Sequence, residues 1–276
     1  MTETRPFNRR FTLIYFVLAA IVGAAVAVFV GISLGGTGSS SSTVLPNGQT
    51  FSGWSAWQPS NTGVPAIQEI ANYVSQKYRR TEAAQLVVVQ GDLPYVAEQL
   101  GASGSPTVTK APISSFAVPV LQDGKLGYAV DNRTAVEYQM CGTGPACSIP
   151  GQASDARGLL LQREALELAL YTFQYLPVDV VVALYPPAPG ELPKYALYFQ
   201  RSDFSKQLSE PLADTLADEQ SLLPGKMPPA DVQSVKALVQ PRVFGYRYSL
   251  QLDGTAQMVL TQPGTIETTL APTSGG

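Results

Sequence analysis

The sequence predicts one N-terminal transmembrane helix followed by an extracytoplasmic mixed α/β domain of the α+β class. Three observations predict it. A run of 24 uncharged residues, Phe11–Leu34, is long and apolar enough to span a bilayer. Beyond it, apolar residues recur with helical spacing in some stretches and alternate in others, so helices and strands are both expected. The charges also divide. Residues 1–10 hold Arg5, Arg9 and Arg10 against Glu3. Removing these from totals of 18 basic and 21 acidic residues leaves 15 basic and 20 acidic for the rest.

At 1.5 Å per residue the apolar run reaches about 36 Å, against a hydrocarbon core of about 30 Å. Arg9 and Arg10 abut its N-terminal end, and its other flank is uncharged Gly and Ser. The positive-inside rule then places the N-terminal stub 1–10 in the cytoplasm and the domain outside the plasma membrane. Ala25-Val26-Ala27 spells a cleavage site, but seven more apolar residues follow it. That favours an uncleaved signal anchor over a signal peptide. Ala19, Gly23, Ala27, Gly31 and Gly35 recur every four residues and form a stripe of small side chains. Such stripes let two membrane helices approach closely, so self-association is expected there.

Residues 35–50 read GGTGSSSSTVLPNGQT and are expected to be flexible linker. Residues 51–262 form the domain, and 263–276 read as a disordered tail. Within the domain a helix is expected over 64–80, with Asn61 or Thr62 as cap and Ile67, Ile70, Ala71, Val74 and Tyr78 as its apolar stripe. A strand follows at Leu86–Gln90, ended by Gly91-Asp92-Leu93-Pro94, and residues 101–112 read as loop. Phe116, Val118 and Val120 alternate, Asp123-Gly124 turns, and Leu126, Tyr128 and Val130 alternate back, a hairpin signature. Pro119 argues that the first strand of this hairpin is an edge.

A further strand is expected at Ala135–Met140. A central helix follows over 155–175, capped by Ser154. Strands follow at Val178–Tyr185 and Lys194–Gln200. A helix is expected over 209–223, with Glu210, Asp214 and Asp218 as an acidic stripe on its solvated face, and another over 229–239. The domain closes with a hairpin. Phe244, Tyr246, Tyr248, Leu250 and Leu252 share one face, and Ala256, Met258 and Leu260 return. The pattern E-[IL]-A-x-Y-x-x-Q occurs at Glu69–Gln76 and again at Glu167–Gln174, each ahead of a valine-rich strand. A true repeat would make two pseudo-repeated helix–strand lobes with a site at their junction.

The chain has no histidine. That excludes a Ser-His-Asp triad, a Cys-His dyad, a histidine-ligated metal and a histidine pH switch. No P-loop, G-x-S-x-G or S-x-x-K spelling appears, so no catalytic, cofactor-binding or metal-ligating residue is nominated. Paired carboxylates remain open as a route to hydrolysis. The acidic domain gives no reason to bind nucleic acid.

Cys141 and Cys147 enclose Gly-Thr-Gly-Pro-Ala and, in an exported domain, read as a structural disulfide. Trp54-Ser55-Ala56-Trp57 is spelled like the W-x-x-W signal of thrombospondin-type repeats. The arginine strands and six-cysteine framework of that family do not follow, so nothing carries over. Trp54 and Trp57 either pack on the domain or, with Tyr185, Tyr195 and Tyr198 around a proline-rich segment, offer a partner surface.

These features lead to one expectation. It is a single-pass anchored protein, bacterial by its Gly/Ala/Pro-rich composition, whose exported domain is a non-catalytic interaction or scaffold module of the cell envelope. The alternative is a small-molecule or glycan-binding domain that uses carboxylates, in the extreme as a hydrolase.

Overall fold

A computed structural model of the protein describes residues 43–44, 50–51, 53–100, 107–187, 189, 191 and 193–263. The apolar run 11–34, its stripe of Ala19, Gly23, Ala27, Gly31 and Gly35, and most of the expected linker and tail lie outside these residues. The chain divides into two compact units, Met1–Gly53 and Trp54–Gly276. In the first unit β1 (Thr43–Val44) pairs antiparallel with β2 (Thr50–Phe51), inside the stretch expected to be coil.

The second unit is a mixed α+β fold with a curled sheet and four helices. Its strands in chain order are β3 (Arg79–Thr81), β4 (Ala84–Gln85), β5 (Val88–Asp92), β6 (Tyr95–Leu100), β7 (Thr107–Gln122) and β8 (Lys125–Asp131). Then come β9 (Ala135–Cys141), β10 (Val180–Leu184), β11 (Tyr195–Gln200), β12 (Val243–Leu250) and β13 (Ala256–Thr261). The helices are α1 (Gly63–Ser75), α2 (Asp155–Tyr175), α3 (Ser205–Ser209) and α4 (Pro229–Val239). The main sheet has nine strands in the order β5-β9-β10-β11-β12-β13-β7-β6, with β8 also on β7. Only β9–β10 and β13–β7 are parallel. Both valine-rich strands that follow the repeated pattern, β5 and β10, flank β9 in this one sheet.

Strand β10 explains the layering. Its VVVAL sequence is buried throughout, as expected for a strand covered on both faces. Val181 and Ala183 join α1, α2 and α4 in the larger core, whereas Val180, Val182 and Leu184 face a second core inside the curl. Phe116, Tyr198, Met258 and Leu260 fill that second core. Helix α2 starts as expected, with the Ser154 side chain accepting the Arg157 N–H at 3.3 Å.

Several expectations need correction. Helix α1 ends at Ser75 rather than near residue 80. The chain leaves it so that Lys77 O and Arg79 N can bond the backbone of Leu222, at 2.8 Å each. The next strand runs over Val88–Asp92 and passes through Gly91 rather than ending before it. At Gly91 a Cβ would lie 2.6 Å from Ile67 Cγ2 and 2.7 Å from Tyr138 Cε1, so the glycine is what lets α1 sit on the sheet. Residues 107–112, read as loop, begin the 16-residue strand β7 and pair with β6, which was not anticipated.

Strand β7 lies between β13 and β8 up to Ala117, but at Pro119 its one neighbour among the described residues is β8, so the edge expected there is present locally. The two-residue turn at Asp123-Gly124 has both φ angles positive (50° and 73°) and closes on the pair Gln122–Lys125. Alternation from that hydrogen-bonded pair turns the nitrogen of Pro119 away from β8, and the β13 ladder ends at Ala117. No ladder bond is therefore lost. The helix expected over 209–223 does not form: α3 ends at Ser209, and Pro211 is followed by a single 3₁₀ turn, Leu212–Asp214. Glu210, Asp214 and Asp218 consequently form no helical stripe.

Candidate functional site

The helical layer encloses a charged network that the sequence reading did not anticipate. Arg163, Glu164 and Glu167 lie on α2, Asp231 on α4, and Lys77 and Tyr78 just beyond α1; all are buried. Arg163 Nε donates to Asp231 Oδ2 at 2.7 Å, Nη1 to the Tyr78 hydroxyl at 2.6 Å and Nη2 to the Ala217 carbonyl at 2.6 Å. Tyr78 in turn donates to Glu167 Oε2 at 2.6 Å, and Lys77 Nζ donates to Glu167 Oε1 at 2.8 Å. Asp231 Oδ1 accepts the Ala217 N–H at 3.1 Å. The Lys77 ammonium lies 4.4 Å from the centre of the Tyr73 ring and 3.8 Å from Asp218 Oδ1.

Two cations thus face two carboxylates away from water. Burial alone would pull the Lys77 ammonium down, but Glu167 more than offsets it and holds it above its ordinary value. Glu164 has no hydrogen-bond partner for either oxygen among the described residues. Burial, then the nearby Glu167 charge, pushes it well above the usual carboxylate range and favours its protonated form. Arg163 is held by Asp231, Tyr78, Glu167 and the Ala217 carbonyl, and Lys77 by Glu167 with the exposed Asp218 nearby. Such internal pairing is what a buried ionic network needs to hold helices together.

A second acid lies on the sheet face inside the curl. Glu137 is 9 % exposed, and its Oε2 has no partner among the described residues. Burial, with the Asp92 charge adding to it, pushes Glu137 up to about 8. Asp92 stands directly opposite it in the β5–β9 ladder. Next to the curl, Asp131 accepts both Arg133 (2.6 Å) and the Tyr198 hydroxyl (2.5 Å). The hydrogen bond from Arg133 is the main reason its carboxyl sits at about 2.

The aromatic residues singled out from the sequence are scattered. Trp54 is buried, its indole N–H donates to Gln207 O at 3.1 Å, and its ring meets Tyr171 edge-on at 5.3 Å. Trp57 is half-buried and stacks on Tyr73 at 4.0 Å. Tyr198 is buried in the inner core, and the Tyr185 hydroxyl is buried too. Only Tyr195 is exposed. Cys141 and Cys147 are joined by a disulfide. Among the described residues no cluster of His, Cys, Asp and Glu could hold a metal ion, and no helix is long and apolar enough to cross a membrane.

What the structure does gather at the surface is an apolar stripe on the β7–β8 hairpin. Leu121 (73 % exposed), Leu126 (51 %), Tyr128 (48 %) and Val130 (66 %) share one face of it. Among the described residues β8 has a neighbouring strand on one side only. Leu252, fully exposed, tips the neighbouring β12–β13 hairpin. Contiguous apolar side chains beside an unpaired strand edge are a binding feature rather than a core feature. The chain matches no known protein family, curated protein or solved structure. The hairpin therefore has to be read from its own chemistry. Alternation in the sequence located the hairpin, but alternation predicts a buried face, and only the tertiary arrangement leaves this one uncovered.

Proposed function

We propose that this protein is a membrane-anchored interaction module of the cell envelope, which docks proteins outside the plasma membrane through the β7–β8 hairpin and performs no catalysis. The carrying observation is the apolar stripe of Leu121, Leu126, Tyr128 and Val130 beside the open edge of β8. The buried internal network supports the non-catalytic part, because its charged groups pair with one another between helices. The 24-residue apolar run and the arginines ahead of it support the anchor and the topology. The small-residue stripe in the anchor would bring copies together in the bilayer.

Strand addition suits such a module. Main-chain hydrogen bonds supply affinity, and alternate side chains supply specificity. The test is photo-crosslinking in intact membranes from a reactive side chain placed at Val130, with exposed Lys236 on α4 as control. The expected result is discrete protein adducts from position 130 and few from 236. Equal, diffuse labelling from both would overturn the reading. Protease protection of the N-terminal stub in sealed vesicles checks the topology.

One observation favours the second reading, a carboxylate-based binder or hydrolase. Glu137 and Asp92 stand opposite each other, and Glu137 is held as an acid near neutral pH. Against it, the Glu137 carboxyl is too deeply buried to meet a substrate, and the tyrosines and aliphatic side chains around it form core.

A further inference from the structure

We infer that the partner at the β8 edge is a second copy of this chain, paired antiparallel about a two-fold axis through Tyr128. The inference rests on the interaction reading above and names its partner.

Strand β8 reads Lys125-Leu126-Gly127-Tyr128-Ala129-Val130-Asp131. Turned about Tyr128, this segment is complementary to itself. Leu126 comes opposite Val130, Tyr128 opposite Tyr128, and Lys125 opposite Asp131. A C₂ interface requires this kind of match, in which one patch meets its own copy. Other centres lose it: an axis at Leu126 sets Lys125 against Gly127, and one at Val130 sets Tyr128 against the polar Asn132.

Backbone geometry is satisfied at this centre. The two-residue turn makes Gln122–Lys125 a hydrogen-bonded pair, so Gly127, Ala129 and Asp131 also direct their N–H and C=O groups at β7. Leu126, Tyr128 and Val130 direct theirs outward, at the open edge. About the Tyr128 axis these three residues meet their counterparts as narrow pairs, and each pair exchanges two hydrogen bonds. An axis between two residues would set outward groups against inward ones and leave them unmade, while an axis at Gly127 or Ala129 keeps the bonds but sets Lys125 against Ala129 or Arg133.

The side chains agree with the backbone. Leu126, Tyr128 and Val130 stand on one face, and pairing would join the stripes of the two copies into one apolar band. Lys125 and Asp131 stand on the other face. Asp131 already receives Arg133 and Tyr198, which keep it ionised, so a second-copy Lys125 would meet a carboxylate of fixed charge and position. Aggregation through such an edge is held in check because this match ends at Asp131, where Asn132 leaves the strand.

The experiment uses the full chain in its membrane with single cysteines added on β8. Cα atoms in a narrow antiparallel pair lie about 5.5 Å apart, within the range a disulfide spans. Tyr128→Cys is expected to give a disulfide-linked dimer under mild oxidation. Leu126→Cys alone and Val130→Cys alone should stay monomeric, because each faces the other position, yet the two co-expressed should crosslink to one another. Lys125→Glu would set a carboxylate against Asp131 of the second copy and should lower the wild-type dimer fraction several-fold at low salt. Tyr128 is half-exposed, and circular dichroism of each variant matching wild type shows that the fold survives.

Equal crosslinking from positions 126, 128 and 130 would overturn the register, as would a Lys125→Glu chain that dimerises like wild type. A photo-reactive side chain at Tyr128 separates this inference from the reading beneath it. Adducts with a different protein, and none with a second copy, overturn the homotypic partner and leave the interaction module standing. No adduct of either kind overturns both.

Discussion

Tyr78 donates a 2.6 Å hydrogen bond to Glu167 and accepts one of 2.6 Å from Arg163, and all three residues are buried. A single hydroxyl thus joins the chain leaving α1 to the middle of α2, and through Arg163 to α4. Tyr78→Phe keeps the ring but deprives Glu167 of a donor and Arg163 of an acceptor. The cost is expected at about 1–3 kcal/mol. Arg163→Met takes from Asp231 its ion-pair partner and from Glu167 one of two cations, and should cost more, about 3–5 kcal/mol. Urea unfolding of the full chain in mild detergent measures both. Equal losses from the two variants would show that the arginine charge is not what the two acids depend on.

Gly91 supports a packing prediction. Gln68 clamps this point from both sides, with Nε2 donating to Val89 O at 3.3 Å and Oε1 accepting the Gly91 N–H at 3.2 Å. Gly91→Ala would press its methyl into Ile67 and Tyr138, so a loss of about 1–3 kcal/mol is expected. Ile67→Val removes one of the crowding atoms. The double variant should therefore lose less than the sum of the single losses, and a thermal-melt double-mutant cycle reads the difference. Strict additivity would mean that the helix shifts as a body.

Much of the fold could be read from local pattern. The Ser154 cap of α2, the apolar stripe of α1, the two hairpins and the valine-rich strands all follow from spacing within a few residues. What could not be read depends on contacts distant in sequence. Arg163, Glu164 and Glu167 look like the wet face of a helix until α4 and residue 217 close over them. Strand β6 and the start of β7 hide in a stretch rich in Gly, Ser and Pro, because their pairing partner, rather than their composition, makes them strands. Pro211, by contrast, was a local signal against the helix expected over 209–223. The candidate docking surface was half legible: its hairpin showed in the alternation, its exposure did not.

Glu137 makes stability depend on pH. The folded protein holds this proton up to about pH 8, whereas the unfolded chain releases it near the ordinary glutamate value of 4.5. Between those values the folded state binds more protons than the unfolded one, so stability falls as pH rises, by about 1.4 kcal/mol per pH unit from this group. The contribution is fully present below the lower value and lost by the upper one. Glu137→Gln keeps the shape without the titration. The variant should match wild type near pH 4.5 and exceed it at pH 8, with Glu164 leaving a residual slope in both. Parallel stability curves for the two proteins across pH 5–8 would sink this assignment.

The disulfide loop is tight for reasons beyond its covalent bond. Gly142 N–H donates to Cys147 O and Gly144 N–H to Ser148 O, each at 2.8 Å, while Ala146 (φ 50°) and Cys147 (φ 64°) take left-handed backbone. A Cβ on Gly142 would lie 2.2 Å from the Ser148 carbonyl oxygen, an overlap with backbone that no side-chain rotation relieves. Replacing both cysteines with serine removes the closure of a short loop and should cost about 2 kcal/mol. Gly142→Ala with the disulfide intact should cost at least as much, about 3 kcal/mol, because the closed ring stops the chain from moving aside. Combining the glycine change with the two serines should then cost less than the sum, since the opened loop can swing Ser148 away. Chemical unfolding of the three variants measures the coupling, and a combined loss equal to the sum would show that the ring does not confine Ser148.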